Sequence, residues 1–177
     1  RYYAEQGRSF PDEFRQSGYD VTIASNAPDV IEVCENTVGS DQTSKDIPVD
    51  IQLDGVLVSE YDAVIFIGGL GCHDQWDDPQ SHQIAQEAVA QGKVLGAAGC
   101  APTILAYAGV MQGKMAAICS LQVPVKYGQD YCQILNDQGA ICVDAPIVRD
   151  GLIVTAKQKS HYFVAGVIEV IEAITGP

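Results

Sequence analysis

Positive charge is scarce in this chain: ten Lys and Arg stand against 23 Asp and Glu, a net charge of −13 over 177 residues. A surface of that sign repels phosphate, so nucleic acid is not an expected partner and anionic substrates would approach slowly. No apolar run comes near the roughly 18 residues of a membrane-crossing helix, and no leader-like pattern opens the chain, so no membrane partner is expected. Cys-x-x-Cys pairs are missing too. The six cysteines, at 34, 72, 100, 119, 132 and 142, are scattered. With Cys100, Cys119 and Cys142 in apolar or strand-like company, they read as the free thiols of a cytoplasmic protein rather than a disulfide framework. Neither a GxGxxG fingerprint nor a Walker loop is present, and no set of residues has metal-ligand spacing. No cofactor and no metal are therefore expected. Repeats, linkers and low-complexity tracts are absent as well.

What is present is enough for one folded domain spanning residues 1–177. The apolar fraction is 47% and the charged fraction 19%, a globular balance. A chain of this length buries about 70% of its unfolded surface, so it needs neither disulfides nor metal to hold a core. "FPDEFRQSG" (10–18) reads as a helix stopped by Gly18, and "YDVTIAS" (19–25) alternates as a strand does. "YDAVIFIGG" (61–69) is nearly continuously apolar, the pattern of a strand buried on both faces of a parallel sheet. "DPQSHQIAQEAVAQG" (78–92) puts Ile84, Ala85, Ala88 and Val89 on one helical stripe and ends at Gly92.

"KVLGAA" reads as another buried strand and "APTILAYAGVM" as another helix. "APIVRDGLIVTA" (145–156) reads as two strands about an Asp-Gly turn. The closing "HYFVAGVIEVIEAI" (161–174) has apolar residues at 163, 164, 167, 168, 171 and 174, one face of a helix. Residues 29–60 are the least regular, read as short strands and loops. Strands alternating with helices predict an α/β sandwich with a mostly parallel sheet. The chain opens on "RYYAEQGRSF" with no apolar strand before its first helix, so the central first strand of a doubly wound fold is expected to be absent from these residues.

Chemistry concentrates in two stretches. In "FIGGLGCHDQWDDP" (66–79), Gly68 and Gly69 follow a buried strand at its carboxyl end, where open α/β sheets place ligands. Their backbone N–H groups suit a developing negative oxygen, or the glycines merely permit the turn. Cys72 and His73 are neighbours that either form a thiolate pair or metal ligands, with no third ligand in sequence, or sit in a surface loop. In "GAAGCAP" (96–102), Ala97, Ala98, Gly99 and Ala101 are the small flanks that a strand-to-helix elbow requires, and Pro102 suits a first helical turn. Cys100 is then either a reactive thiol beside a helix start or a small buried hydrophobe. Glu5 is the candidate proton carrier if the first segment reaches this pocket, and otherwise an exposed acid near a chain end. Cys119 follows strand-like residues and is a further pocket-lining candidate. His82 and His161 stand at no catalytic spacing.

With these pieces in order, "SGYDVTIAS", "YDAVIFIGG", "DDPQSHQIAQEAVAQGKVLGAAGCAP", "ILAYAGVMQGK" and "VRDGLIVTA" make the chain resemble the ThiJ/PfpI family of the class I glutamine-amidotransferase-like superfamily. The resemblance covers most of residues 10–174. It implies a flavodoxin-like three-layer sandwich, assembly as a homo-oligomer, and a small-molecule substrate or ligand. It also implies one of two roles. One is cysteine-dependent hydrolase or lyase chemistry of the amidase, peptidase, glyoxalase or deglycase kind. The other is non-catalytic ligand binding or redox sensing.

In the mechanism expected from the residues, Cys100 is the nucleophile, Glu5 its acid, and Gly68, Gly69, Gly99 and Ala101 the oxyanion or pocket backbone. Gln6, Cys72, His73 and Cys119 line the pocket. Aligned through Ala101 and Pro102, however, the family's nucleophile position falls on Gly99 and its acid position on Gln6, each one residue from Cys100 and Glu5. A one-residue shift turns a strand side chain to the opposite face and rotates a helical one by about 100°.

Overall fold

The computed structural model describes residues 10–26, 30–31, 47–68, 72, 76–119, 130–157 and 161–176. In chain order they form helix α1 (Phe10–Gln16), strands β1 (Ala24–Ser25), β2 (Val30–Ile31), β3 (Ile47–Pro48) and β4 (Ile51–Gln52), and then β5 (Ala63–Ile67). Helix α2 (Pro79–Ala90), strand β6 (Val94–Ala98), helix α3 (Pro102–Tyr107) and strand β7 (Met115–Ala116) follow. Helix α4 (Tyr131–Asp137), strands β8 (Ile141–Cys142), β9 (Ile147–Asp150) and β10 (Ile153–Ala156), and helix α5 (His161–Thr175) come last.

The main sheet runs β5-β6-β10-β9. β5, β6 and β10 are parallel, and β9 returns antiparallel to β10 through the Asp150–Gly151 turn that the sequence predicts. β6 lies inside this sheet and every one of its residues is buried, which explains its run of small and apolar side chains. Its alternate residues feed two cores. Leu95 and Ala97 join Ile84, Leu105 and Leu135 from α2, α3 and α4. Val94 and Ala98 join Phe10, Phe163 and Val167 from α1 and α5, with the Phe10 and Phe163 rings edge to face at 5.5 Å and 72°. Helices cover both faces of a mostly parallel sheet, the flavodoxin-like three-layer sandwich. β1 with β4, β2 with β3 and β7 with β8 form three separate two-stranded pairs.

Local choices explain most element ends. α2 starts where Asp78 accepts the Ser81 N–H at 2.8 Å and Pro79 fills the first turn, a cap that stabilises a helix by about 1 kcal/mol. The strand expected over 19–25 shortens to Ala24–Ser25. Side chains replace the ladder ahead of it: Arg15 donates to the Val21 carbonyl at 3.1 Å and Asp50 accepts the Ile23 N–H at 2.8 Å. Val89 and Ile174, expected on buried helical stripes, are exposed, whereas Val170 is fully buried. At 100° per residue Val170 falls on the stripe of Phe163 and Val167, and Ile174 shares that direction but lies in the last turn of α5, where residues 172–176 are all exposed.

The expectation of free thiols fails at one pair: Cys132 and Cys142 form a disulfide, with Cα atoms 5.3 Å apart. The reason lies in α4, which the sequence reading passed over. Asp130 caps it by accepting the Gln133 N–H at 2.7 Å, and Tyr131, Ile134 and Leu135 bury one face. The chain then reverses directly into β8, so the first turn of the helix faces the strand. A cross-link over so short a loop stabilises the fold by roughly 3 kcal/mol on chain-entropy grounds.

Candidate functional site

The carboxyl ends of β5 and β6 meet at the elbow. β6 stops at Ala98, Gly99 turns with φ of +69°, and Cys100 and Ala101 lead into Pro102 at the start of α3. The left-handed backbone that marks a nucleophile elbow therefore belongs to Gly99, which has no side chain to offer. Gly68 passes so close beneath that a Cβ there would lie 2.4 Å from the Ala101 nitrogen and 2.7 Å from the Cys100 nitrogen. No other residue type fits that crossing. The Gly68 and Ala101 amides both donate to the Ala98 carbonyl, at 2.9 and 3.3 Å. These hydrogen bonds lock the elbow, and they engage two of the backbone donors expected to face an oxyanion.

Cys100 is held from its other side by α3. The buried Thr103 hydroxyl donates to the Cys100 carbonyl at 2.6 Å, and the Thr103 amide does so at 3.2 Å. The Cys119 amide donates to the Gly99 carbonyl at 3.0 Å, which draws the segment after β7 against the elbow. The result is a convergence of three thiols outside the disulfide, Cys72, Cys100 and Cys119, none more than 5% exposed. The Cys72 thiol is hydrogen-bonded to the Cys100 sulfur, and the Tyr131 hydroxyl reaches the same sulfur.

Aromatic rings close this cluster. Trp76 stacks on Tyr107 at 5.8 Å and meets Tyr131 edge-on at 6.4 Å. The His82 ring nitrogen donates to the Trp76 carbonyl at 2.6 Å, so the one histidine described in α2 braces the aromatic wall. The hydrogen bond to Cys100, burial and the neighbouring sulfurs push the Cys72 thiol far above the usual range, against the opposing pull of the Trp76 indole. Burial first, and then Cys100, does the same to the Tyr131 hydroxyl. Both groups stay protonated and act as donors, with the Cys100 sulfur as their common acceptor. Such an arrangement supports charge or oxidation at one sulfur and supplies a second sulfur beside it.

Of the residues singled out from sequence, Gly68, Gly99, Cys100, Ala101, Cys72 and Cys119 assemble here. Glu5, Gln6, Gly69 and His73 lie outside the described residues. The surface-loop alternative for Cys72 gives way to burial in the core. Trp76 and Tyr131 went unnoticed. A usable signal for Tyr131 existed in "DYCQILND", where an Asp cap precedes apolar residues at helical spacing.

A sequence model of the DJ-1/PfpI family matches residues 9–170. An uncharacterized protein of Methanocaldococcus jannaschii is 26% identical over 162 residues, 91% of this chain and 71% of that one. Among solved structures, a ThiJ/PfpI domain protein from Brachyspira murdochii superimposes with a TM-score of 0.76 at 22% identity, covering 93% of this chain and 86% of that one. DJ-1beta of Drosophila melanogaster gives a TM-score of 0.68 at 24% identity, covering 94% and 81%. At these identities the structural likeness is one of fold. The family match spans nearly the whole chain: this protein belongs to the DJ-1/PfpI family.

Proposed function

We propose that this chain is a thiol-redox member of its family, with Cys72 and Cys100 as the responsive pair. One observation carries the reading: the strained elbow position is occupied by Gly99, while the Cys100 sulfur is turned into the core against a second thiol. In the reaction proposed, the Cys100 sulfur attacks a peroxide oxygen and becomes a sulfenic acid, releasing water. The Cys72 sulfur then displaces the hydroxyl as a second water and closes a disulfide. Two thiols and one hydrogen peroxide give one disulfide and two waters.

A second reading keeps the cysteine-dependent hydrolase or lyase, acting on small carbonyl or amide substrates. The Tyr131 hydroxyl aimed at Cys100 favours it, since a donor at the sulfur stabilises a thiolate. For either reading the proposed partner is a small molecule, the proposed assembly a homo-oligomer and the proposed compartment the cytoplasm. Among the described residues no helix is long and apolar enough to cross a membrane.

Peptide mapping under non-reducing conditions, after a stoichiometric dose of hydrogen peroxide, tests the choice. A Cys72–Cys100 linkage two hydrogens lighter is the expected result. If both thiols survive, and wild-type protein turns over methylglyoxal or a peptide amide while Cys100→Ala does not, the hydrolase reading replaces ours.

A further inference from the structure

We propose that the Cys132–Cys142 disulfide is a reducible clasp, and that its opening by a dithiol exposes Cys100. The inference deepens the thiol-redox reading by naming its regulation, and it rests on that reading for its meaning though not for its test. Two walls of the thiol cluster meet at this bond. On one side Cys132 follows Tyr131, whose hydroxyl reaches the Cys100 sulfur and whose ring packs on Trp76. On the other, Cys142 sits in β8 and pairs with Ala116 of β7, three residues before Cys119, whose amide is bound to the Gly99 carbonyl. The disulfide thus staples the Tyr131 wall to the Cys119 wall directly outside the elbow.

Accessibility separates the two sulfur sites. Cys132 is exposed and Cys142 half-buried, whereas Cys72, Cys100 and Cys119 are all buried. A reductant therefore meets the clasp before it meets the cluster. A thiolate of a small or protein dithiol attacks the Cys132 sulfur, the S–S bond breaks, and Cys142 leaves as thiolate and takes up a proton. The second thiol of the reductant then displaces Cys132, leaving two protein thiols and one oxidised dithiol.

Little covalent or helical reinforcement remains once the bond opens. α4 has seven residues, too few to persist without tertiary support. Its remaining ties to β8 include the Cys142 N–H donating to Asn136 at 3.0 Å, a bond exposed to water. The Asp130 cap and the burial of Tyr131, Ile134 and Leu135 still hold α4, so opening the bond frees its first turn for transient excursions rather than releasing it outright. Tyr131 then swings from Cys100 more often, and the buried sulfur gains a route to solvent.

The test compares N-ethylmaleimide labelling of Cys100, read by peptide mapping, in three samples: oxidised wild type, wild type held in dithiothreitol until the clasp opens and then desalted, and a Cys132→Ser, Cys142→Ser double variant. Labelling of Cys100 at least tenfold faster in both clasp-free samples, with amides of β6 keeping full hydrogen-exchange protection, is the expected result. An unchanged Cys100 rate overturns the proposal. So does faster labelling accompanied by loss of β6 protection, which reports general loosening. Should the double variant fail to fold, the reduced wild type alone decides between these outcomes. Peroxide-driven Cys72–Cys100 pairing is measured separately with the clasp closed and in the double variant; its absence from both overturns the redox reading and leaves the labelling result standing.

Discussion

At Gly68 the limiting quantity is space. A methyl group would have to push apart the elbow backbone, because the obstructing atoms are the Ala101 and Cys100 nitrogens rather than the end of a flexible side chain. Gly68→Ala is expected to lose about 3 kcal/mol in urea unfolding, at the upper end of overpacking costs. A loss under 0.5 kcal/mol would mean the crossing is looser than described. The thiols supply a second residue-scale expectation. Cys72 is held protonated in the fold, so its folded value lies above that of an unfolded thiol, near 8.5. The resulting stabilisation is complete below that pH and is lost as pH rises beyond it, because only the unfolded chain then gains charge. Wild-type stability should fall above about pH 8.5 with a slope of up to about 1.4 kcal/mol per pH unit from this group. In Cys72→Ala the decline should be shallower, because one thiol fewer ionises in the unfolded chain; identical profiles for the two proteins would contradict the assignment.

Between elements, Asp150 acts as a clip. From β9 it accepts the Met115 N–H of β7 and the Lys114 ammonium, both at 3.0 Å. These bonds, the backbone one foremost, hold its carboxyl below the ordinary carboxylate value. A lowered folded value stabilises at pH above the unfolded value, near 4, and that contribution disappears as pH falls through the folded one. Asp150→Asn should cost about 1 kcal/mol at neutral pH. It should also flatten the acid limb below about pH 4, measured by urea midpoints across that limb. An equal acid slope in the variant would place the effect elsewhere. β7 carries the chain toward Cys119, so this clip also bears on the thiol cluster.

For the whole molecule, charge is the dominant long-range quantity. With −13 net and few ion pairs described, among them Lys114–Asp150 and Lys157–Asp144, self-repulsion opposes compaction. Raising sodium chloride from 10 to 200 mM shortens the screening length and should raise stability by about 1 kcal/mol. For a chain of this size that corresponds to roughly 2–4 °C in Tm by calorimetry. A fall in Tm with salt would mean that local ion pairs outweigh net repulsion. The same surface favours small neutral or cationic ligands over anionic ones.

How much of this was legible depends on range. "KVLGAA" forms a strand buried along its whole length, as its continuous apolar character suggests, whereas "YDAVIFIGG", read the same way, forms β5 at the end of the described sheet and is only half-buried. The elbow is likewise local: small residues around position 99, then a proline, dictate the turn whatever side chain it carries. Even the displacement of the cysteine from the strained position can be counted from Pro102, and the φ of Gly99 agrees with that count. The convergence of Cys72, Cys119 and Tyr131 on Cys100 has no such local origin. Those residues come from three separate segments, brought together by the parallel register of β5 on β6, the tie from Cys119 to Gly99 and the packing of α4 on α3. The Cys132–Cys142 bond depends on a chain reversal after a seven-residue helix that scattered cysteines do not announce. Sequence alone determined the sandwich and its elbow, because side-chain period and turn sterics act between near neighbours. Tertiary structure alone decided which sulfurs meet, because that follows from packing between distant segments.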